Sequence, residues 1–251
     1  MDVLDHAVVL AAAFVAGAIN AVAGGGSLLT FPTLLAVGID PVPASITNTL
    51  GLMPGYLGGT HAYRAELVGQ RHRVRVLIVP AGIGAIVGAI LLLVSPEAIF
   101  EAVVPYLVLL AAVMLALQPR VARWLAQRPA GTRELPLLLL VVTFLGGVYG
   151  AYFGGALGVI LLAALGSVLV DDLQRVNALK SVLSVVINGV AVAIFVFSPH
   201  VHWTTVAVMG VGSLAGGRLG AGFARRLGAA QLRGAVVSIA LTVAIVLIAR
   251  S

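Results

Sequence analysis

From residue 5 to residue 249 the chain is a succession of apolar runs separated only by short loops. That pattern constrains the fold more than any single motif. A helix of about 20 apolar residues crosses the hydrocarbon of a bilayer. We read such runs at 5–23 with 26–37, 44–60, 76–94, 97–117, 135–153 with 156–170, 173–197, 203–222 and 230–249. Of the 251 residues, 61% are hydrophobic and 10% are charged, and the mean hydropathy is +1.12. A soluble domain of this size cannot hide that much apolar surface, so the expected fold is an all-α polytopic membrane protein. No hydrophilic stretch is long enough for a second, soluble domain. With no cysteine, the chain has no disulfides and no thiolate or Cys-ligated metal chemistry. No cofactor, catalytic or metal site is expected, and the protein is read as no enzyme. Asp2 and Asp5 make the N-terminus acidic, unlike the basic start of a secretory signal.

The net charge of +6 is not a nucleic-acid signature, because the arginines lie in short loops. Loop 61–75 holds Arg64, Arg71, Arg73 and Arg75. Loop 118–134 holds Arg120, Arg123, Arg128 and Arg133, and loop 218–233 holds Arg218, Arg225, Arg226 and Arg233. Basic loops stay in the cytoplasm. The intervening loops carry Asp40, Glu97, Glu101, His200 and His202 and are expected outside. Counting crossings between these loops makes 135–170 enter and return on one side, as a hairpin bent near Gly154 and Gly155. Counting back from loop 61–75 puts 38–43 outside; read as a matching hairpin bent at Gly24, Gly25 and Gly26, 5–37 then leaves both termini outside. Each half is then a glycine-broken hairpin plus three crossings, and the odd number gives the halves opposite orientations. The expected division is a first membrane repeat at 1–118, a cytoplasmic basic linker at 119–134 and a second membrane repeat at 135–251.

The halves also resemble each other residue by residue. The run from Gly17 to Ser27 aligns with Gly147 to Leu157, and the run from Asp40 to Thr49 aligns with Asp172 to Ser181. In this register Asn48 matches Lys180 and Thr49 matches Ser181. Inverted repeats with interrupted helices at matching positions are a transporter signature, with the substrate site where the halves meet near the midplane. Irregular backbone at that depth must be buried in protein or line a cavity.

At these residues the chain resembles the TauE/SafE family of sulfite and organosulfonate exporters. The likeness rests on the run from Asn20 to Pro32, on Gly147 to Gly158, and on Asn177 to Ser181. It extends over essentially the whole chain. It implies a multi-pass carrier in the bacterial plasma (inner) membrane that exports small sulfur-containing anions. The second copy of the motif departs from the first, with Ala156 and Leu157 where the first has Gly26 and Ser27.

An anion at the midplane needs hydrogen-bond donors and positive potential. Helix starts offer both, which points to Gly24, Gly25, Gly26 and Ser27, and to Gly154 and Gly155. Those glycines can equally serve helix packing. The runs Gly51/Gly55/Gly59 and Gly212/Gly216/Gly220 are read as packing only. Lys180 is the single lysine among 15 basic residues. It lies about 10 Å into its helix at 1.5 Å per residue, where a cation costs on the order of 2.5–3.5 kcal/mol. We expect it to balance the anion's charge, with snorkelling to the interface as the alternative. Asn20, Asn48, Thr49, Ser181 and Asn188 add amides and hydroxyls, and Tyr152 a phenol. All nine acids lie in or beside loops, so proton relay through a buried carboxylate is disfavoured and potential-driven uniport is the simpler expectation. The expected partners are a small anion and the lipid bilayer, with no nucleic acid and with room for a homodimer. Two other readings stay open at this level. One is an anion channel or a carboxylate carrier. The other is an intramembrane hydrolase using Lys180 and Ser184, which stand four residues apart on one helical face.

Overall fold

The computed structural model describes residues 2–22, 24–61, 63–127, 136–169, 171–227 and 229–250. Among these, ten helices and no strand are found. Five come from the first half: α1 (Val3–Val22), α2 (Ser27–Ala36), α3 (Pro41–His61), α4 (Arg71–Val94) and α5 (Glu97–Ala126). Five come from the second: α6 (Pro136–Tyr152), α7 (Leu157–Val168), α8 (Leu173–Phe195), α9 (Trp203–Leu227) and α10 (Ala229–Arg250). Four helices, α1, α4, α5 and α8, are long and apolar enough to cross a membrane by length and composition. The chain is an all-α polytopic membrane protein.

The radial arrangement of side chains fits that solvent. On α4, Leu77, Ala81, Gly84, Ala85 and Gly88 are buried while Val79, Ile83, Ile86 and Ile90 face outward. Small residues inside and large aliphatic ones outside suit helices that gain little from hydrophobic segregation in lipid and associate by close approach. Gly84 and Gly88 sit against the backbone at Phe144 and Val148 of α6, where an added Cβ would lie 2.2 Å from each carbonyl oxygen. Gly212 and Gly216 of α9 sit in the same way against Leu10 and Phe14 of α1.

These two contacts correspond. α1 packs on α9 as α6 packs on α4, α3 on α9 as α8 on α4, and α2 on α10 as α7 on α5. α3 meets α8, and α5 meets α10. Every major helix pairing survives exchange of the first five helices with the last five.

The loops gather at two ends. Arg73 and Arg175 both pair with Asp171, Gln70 Nε2 donates to the Arg175 carbonyl, and an Arg175 guanidinium N–H donates to the Val68 carbonyl. The turn before α4 and the start of α8 are therefore at one end, with Leu125 of α5 against Gly166 of α7. At the other end the His202 N–H donates to Thr47 Oγ1, and a surface groove joins Leu35, Pro41, Glu101 and Leu247.

One boundary differs from expectation. α5 continues through Pro119 to Ala126, nine residues beyond 117, so the first part of the expected linker is helix. Proline removes one backbone bond without ending the helix, and Arg123 in the last turn suits the negative end of the helix dipole. Residues 128–135, which hold Arg128, Arg133 and Glu134, lie outside the described residues.

Candidate functional site

Both hairpins are broken by the same backbone device. Gly24 and Gly154 each take φ +74°, a left-handed conformation that a side chain opposes. The Gly24 N–H donates to the Ile19 carbonyl, and the Gly154 N–H to the Tyr149 carbonyl, each reaching back five residues. The chain then restarts as α2 and α7. The breaks meet: a Cβ on Gly24 would lie 3.2 Å from the Gly158 Cα, in the first turn of α7.

Beside this meeting point lies a narrow pocket lined by four segments. α1 and its break contribute Asn20 and Gly24; α7 contributes Gly158. α3 and the turn after it contribute Gly55, Tyr56, Thr60 and Tyr63, and α8 contributes Lys180, Ser181 and Ser184. The pocket's interior has room for about one water molecule. A spacing of four residues puts Tyr56 and Thr60 on one face of α3, the turn after it brings in Tyr63, and Lys180, Ser181 and Ser184 form a stripe on α8. Thr60 Oγ1 donates to the Tyr56 carbonyl at 3.0 Å and lies 3.4 Å from the Ser181 carbonyl, so the two walls touch there.

The chemistry of the lining is cationic and donor-rich. Lys180 is only 5% exposed, and its Nζ would lie 3.8 Å from a Cβ on Gly158. Among the described residues, no Asp or Glu lines the pocket. Ser184 Oγ and Asn20 Nδ2 are buried with no hydrogen-bond partner among the described residues. Ser184 Oγ is thus not hydrogen-bonded to Lys180. The buried Tyr56 phenol stands beside the Ser27 and Asn20 side chains. At the pocket's edge, burial and then the Glu66 charge push the Tyr63 phenol up, so it stays neutral.

Of the thirteen residues expected at the site, Asn20, Gly24, Lys180 and Ser181 line this pocket. Three stand behind the lining. The Gly26 N–H donates to Asn20 Oδ1 at 2.8 Å and so is not available to an anion. Ser27 supports Tyr56, and Asn188 Nδ2 donates to the Ser184 carbonyl at 2.8 Å. The rest are placed elsewhere. Gly25 faces Leu115 of α5. Asn48 Oδ1 accepts from Thr30 Oγ1, and Thr49 Oγ1 donates to the Ser45 carbonyl, so both serve helix contacts. The Tyr152 ring packs edge-on to Phe100. The Gly154 N–H is spent on Tyr149, and Gly155 is covered by the Phe153 ring. Tyr56, Thr60 and Tyr63 carried no expectation at all; the helical spacing of Tyr56 and Thr60 was the available signal, and Tyr63, in the turn after α3, had none. Gly55 was read as packing only, and it both packs on Ser213 and lines the pocket.

Comparison with known proteins agrees with this architecture. Residues 9–247 match the family described as "Sulfite exporter TauE/SafE". A "probable membrane transporter protein ORF9" from Sinorhizobium is 30% identical over 95% of this chain and 90% of its own length. A probable membrane transporter protein of Haemophilus influenzae is 28% identical over 92% of this chain and 89% of its own. The Escherichia coli probable membrane transporter protein YfcA is 27% identical over 83% of this chain and 76% of its own. No solved structure matches. Near-complete coverage by the family, on an all-helical membrane fold, places the chain in the TauE/SafE sulfite exporter family of membrane transporters.

Proposed function

We propose that the chain is a secondary carrier that exports small sulfur-containing anions, sulfite or organosulfonates, by alternating access at the Lys180 pocket. The observation that carries this reading is Lys180 itself, buried beside the meeting of two helix breaks with no carboxylate in the lining. An unpaired ammonium in a low-dielectric site is costly, and a bound anion relieves the cost. The family description supports the sulfur-anion class. Exchange-symmetric helix pairing supports two repeats rocking about a shared site. A pocket with room for about one water must widen to admit even sulfite, as a carrier caught between open states requires.

Arg71, Arg73, Arg75 and Arg175 surround one end of the bundle, which supports a cytoplasmic assignment for it and an outside assignment for both termini. A monovalent anion leaving a negative interior gains about 2.3 kcal/mol per 100 mV. The membrane potential is therefore a sufficient driving force in this reading. The test is current across solid-supported membranes carrying the reconstituted protein, with a panel of sulfonates and carboxylates. Saturable sulfonate current that is lost in Lys180→Ala is expected. Current for no anion would overturn the carrier reading, and undiminished current in the variant would overturn the site.

A further inference from the structure

We propose that this pocket selects its substrate by charge state, taking singly charged oxyanions and rejecting dianions, with Ser184 and Asn20 as the residues that read the oxygens. The inference rests on the reading of the pocket as the anion site and adds a rule for what enters it. The lining holds one cation, Lys180, and no second. Its other titratable groups are the phenols Tyr56 and Tyr63 on the α3 side; α1 and α7 contribute none. Of the charges on neighbouring elements, Glu66 stands beside Tyr63, Arg64 follows Tyr63 in the turn, and the Arg218 stem passes Gly58; none of the three is in the lining. A second negative charge would therefore sit desolvated against glycine backbone without compensation.

The remaining recognition is by neutral donors. Ser184 is only 3% exposed, lines the pocket and has an Oγ with no partner among the described residues. Asn20 Nδ2, on a helix of the other half, is likewise buried and stands beside the Tyr56 phenol of the same lining. Buried polar atoms in native proteins are nearly always hydrogen-bonded, so the orphan Ser184 Oγ, with the Asn20 amide across the pocket, marks the place of a ligand's acceptors. Asn20 cannot turn its amide over, because its Oδ1 holds the Gly26 N–H. One ammonium and two neutral donors, drawn from both halves, suit a small head group with one negative charge and at least two acceptor oxygens. Hydrogen sulfite and alkyl sulfonates have that form, and sulfate and fully ionised sulfite do not.

The experiment uses the full chain in proteoliposomes and compares three probes. Methanesulfonate is a fixed monoanion, sulfate a fixed dianion, and sulfite exchanges between the two near neutral pH. Methanesulfonate half-saturation should change far less than that of sulfite as pH rises through neutrality, since only Lys180 and not the probe can lose a proton. That of sulfite should weaken by about tenfold per pH unit once the dianion dominates, because the monoanion fraction falls by that factor. Sulfate should not compete at concentrations where methanesulfonate saturates. Ser184→Ala should weaken methanesulfonate about two- to tenfold, the worth of one net hydrogen bond. Ser184→Thr, which keeps the hydroxyl, should restore much of that loss. Sulfate competing as well as methanesulfonate would overturn charge selection while leaving the carrier reading intact. Unchanged affinity in Ser184→Ala would remove Ser184 from the contact. Flux of no anion at all would instead defeat the carrier reading beneath it.

Discussion

The two helix breaks share a backbone and differ in what their side chains do with it. At the first, Asn20 accepts the Gly26 N–H, and Gly24 opens onto the pocket. At the second, the Tyr149 phenol donates to the Gly155 carbonyl at 2.6 Å, and the Phe153 ring closes over Gly155. Tyr149 and Phe153 pack edge-to-face, and Phe153 does the same with Phe31 of α2. One break borders the pocket, while the other is filled with aromatic rings. A further asymmetry follows the same line. Lys180 faces the pocket, while its counterpart Asn48 is tied to Thr30. Repeated architecture can therefore build a single asymmetric site, because a twofold arrangement of helices does not require a twofold arrangement of polar groups.

The sharpest way to break this comparison is to move its charge. Lys180→Asn should cut sulfonate transport by about a hundredfold or more, about 2.8 kcal/mol at 1.4 kcal/mol per decade. Asn48→Ala should leave transport within about twofold and cost about 1 kcal/mol of stability through the lost Thr30 bond. Flux and thermal unfolding of the same detergent-purified samples check both.

Next come the glycines. A Cβ on Gly26 would lie 2.4 Å from the Ala16 carbonyl oxygen, and α1 has no slack to yield. Gly26→Ala should cost about 2–3 kcal/mol, as overpacking does. At Gly155 the new atom meets the Phe153 ring, a side chain that can turn aside, so Gly155→Ala should cost about 1 kcal/mol. Equal losses at the two breaks would refute the distinction between a backbone contact and a side-chain contact.

Smaller still is Tyr149→Phe. It removes the phenol that holds the Gly155 carbonyl and should lower stability by about 1 kcal/mol, with transport unchanged. A loss of substrate affinity in this variant would place the second break in the site after all.

The smallest effect concerns the clasp at the basic end. Burial alone would raise the Asp171 carboxyl. The Arg73 hydrogen bond, the Asp172 backbone N–H and Arg175 outweigh it and hold the group below the ordinary carboxylate range. Its contribution is therefore present above the unfolded Asp pKa of about 3.9 and is lost as pH falls through the lower folded value. The partners are partly exposed, so the amount should not exceed about 1 kcal/mol. Asp171→Asn should lower stability by that amount at neutral pH and flatten the acid limb of the unfolding profile.

The sequence by itself determined the solvent and the helices. Runs of about 20 apolar residues point to spanning helices, and Gly24, Gly25 and Gly154 mark the breaks because few other residues tolerate the left-handed backbone found at those three positions. It also singled out Lys180, whose burial in a membrane helix is costly enough to demand a reason. Local pattern did not say which polar groups share a space. Asn48 and Lys180 occupy the same place in the repeat, and only the packing of α2 against α3 consumes the first and leaves the second exposed to the pocket. Tyr56 and Thr60 look like ordinary helix residues until α3 is set against α8. Hydrogen-bond partners in this fold lie up to 162 residues apart, as Ser213 and Gly51 do. Sequence spacing therefore could not assign them, and the tertiary structure alone decided which donors were satisfied and which were left for a ligand.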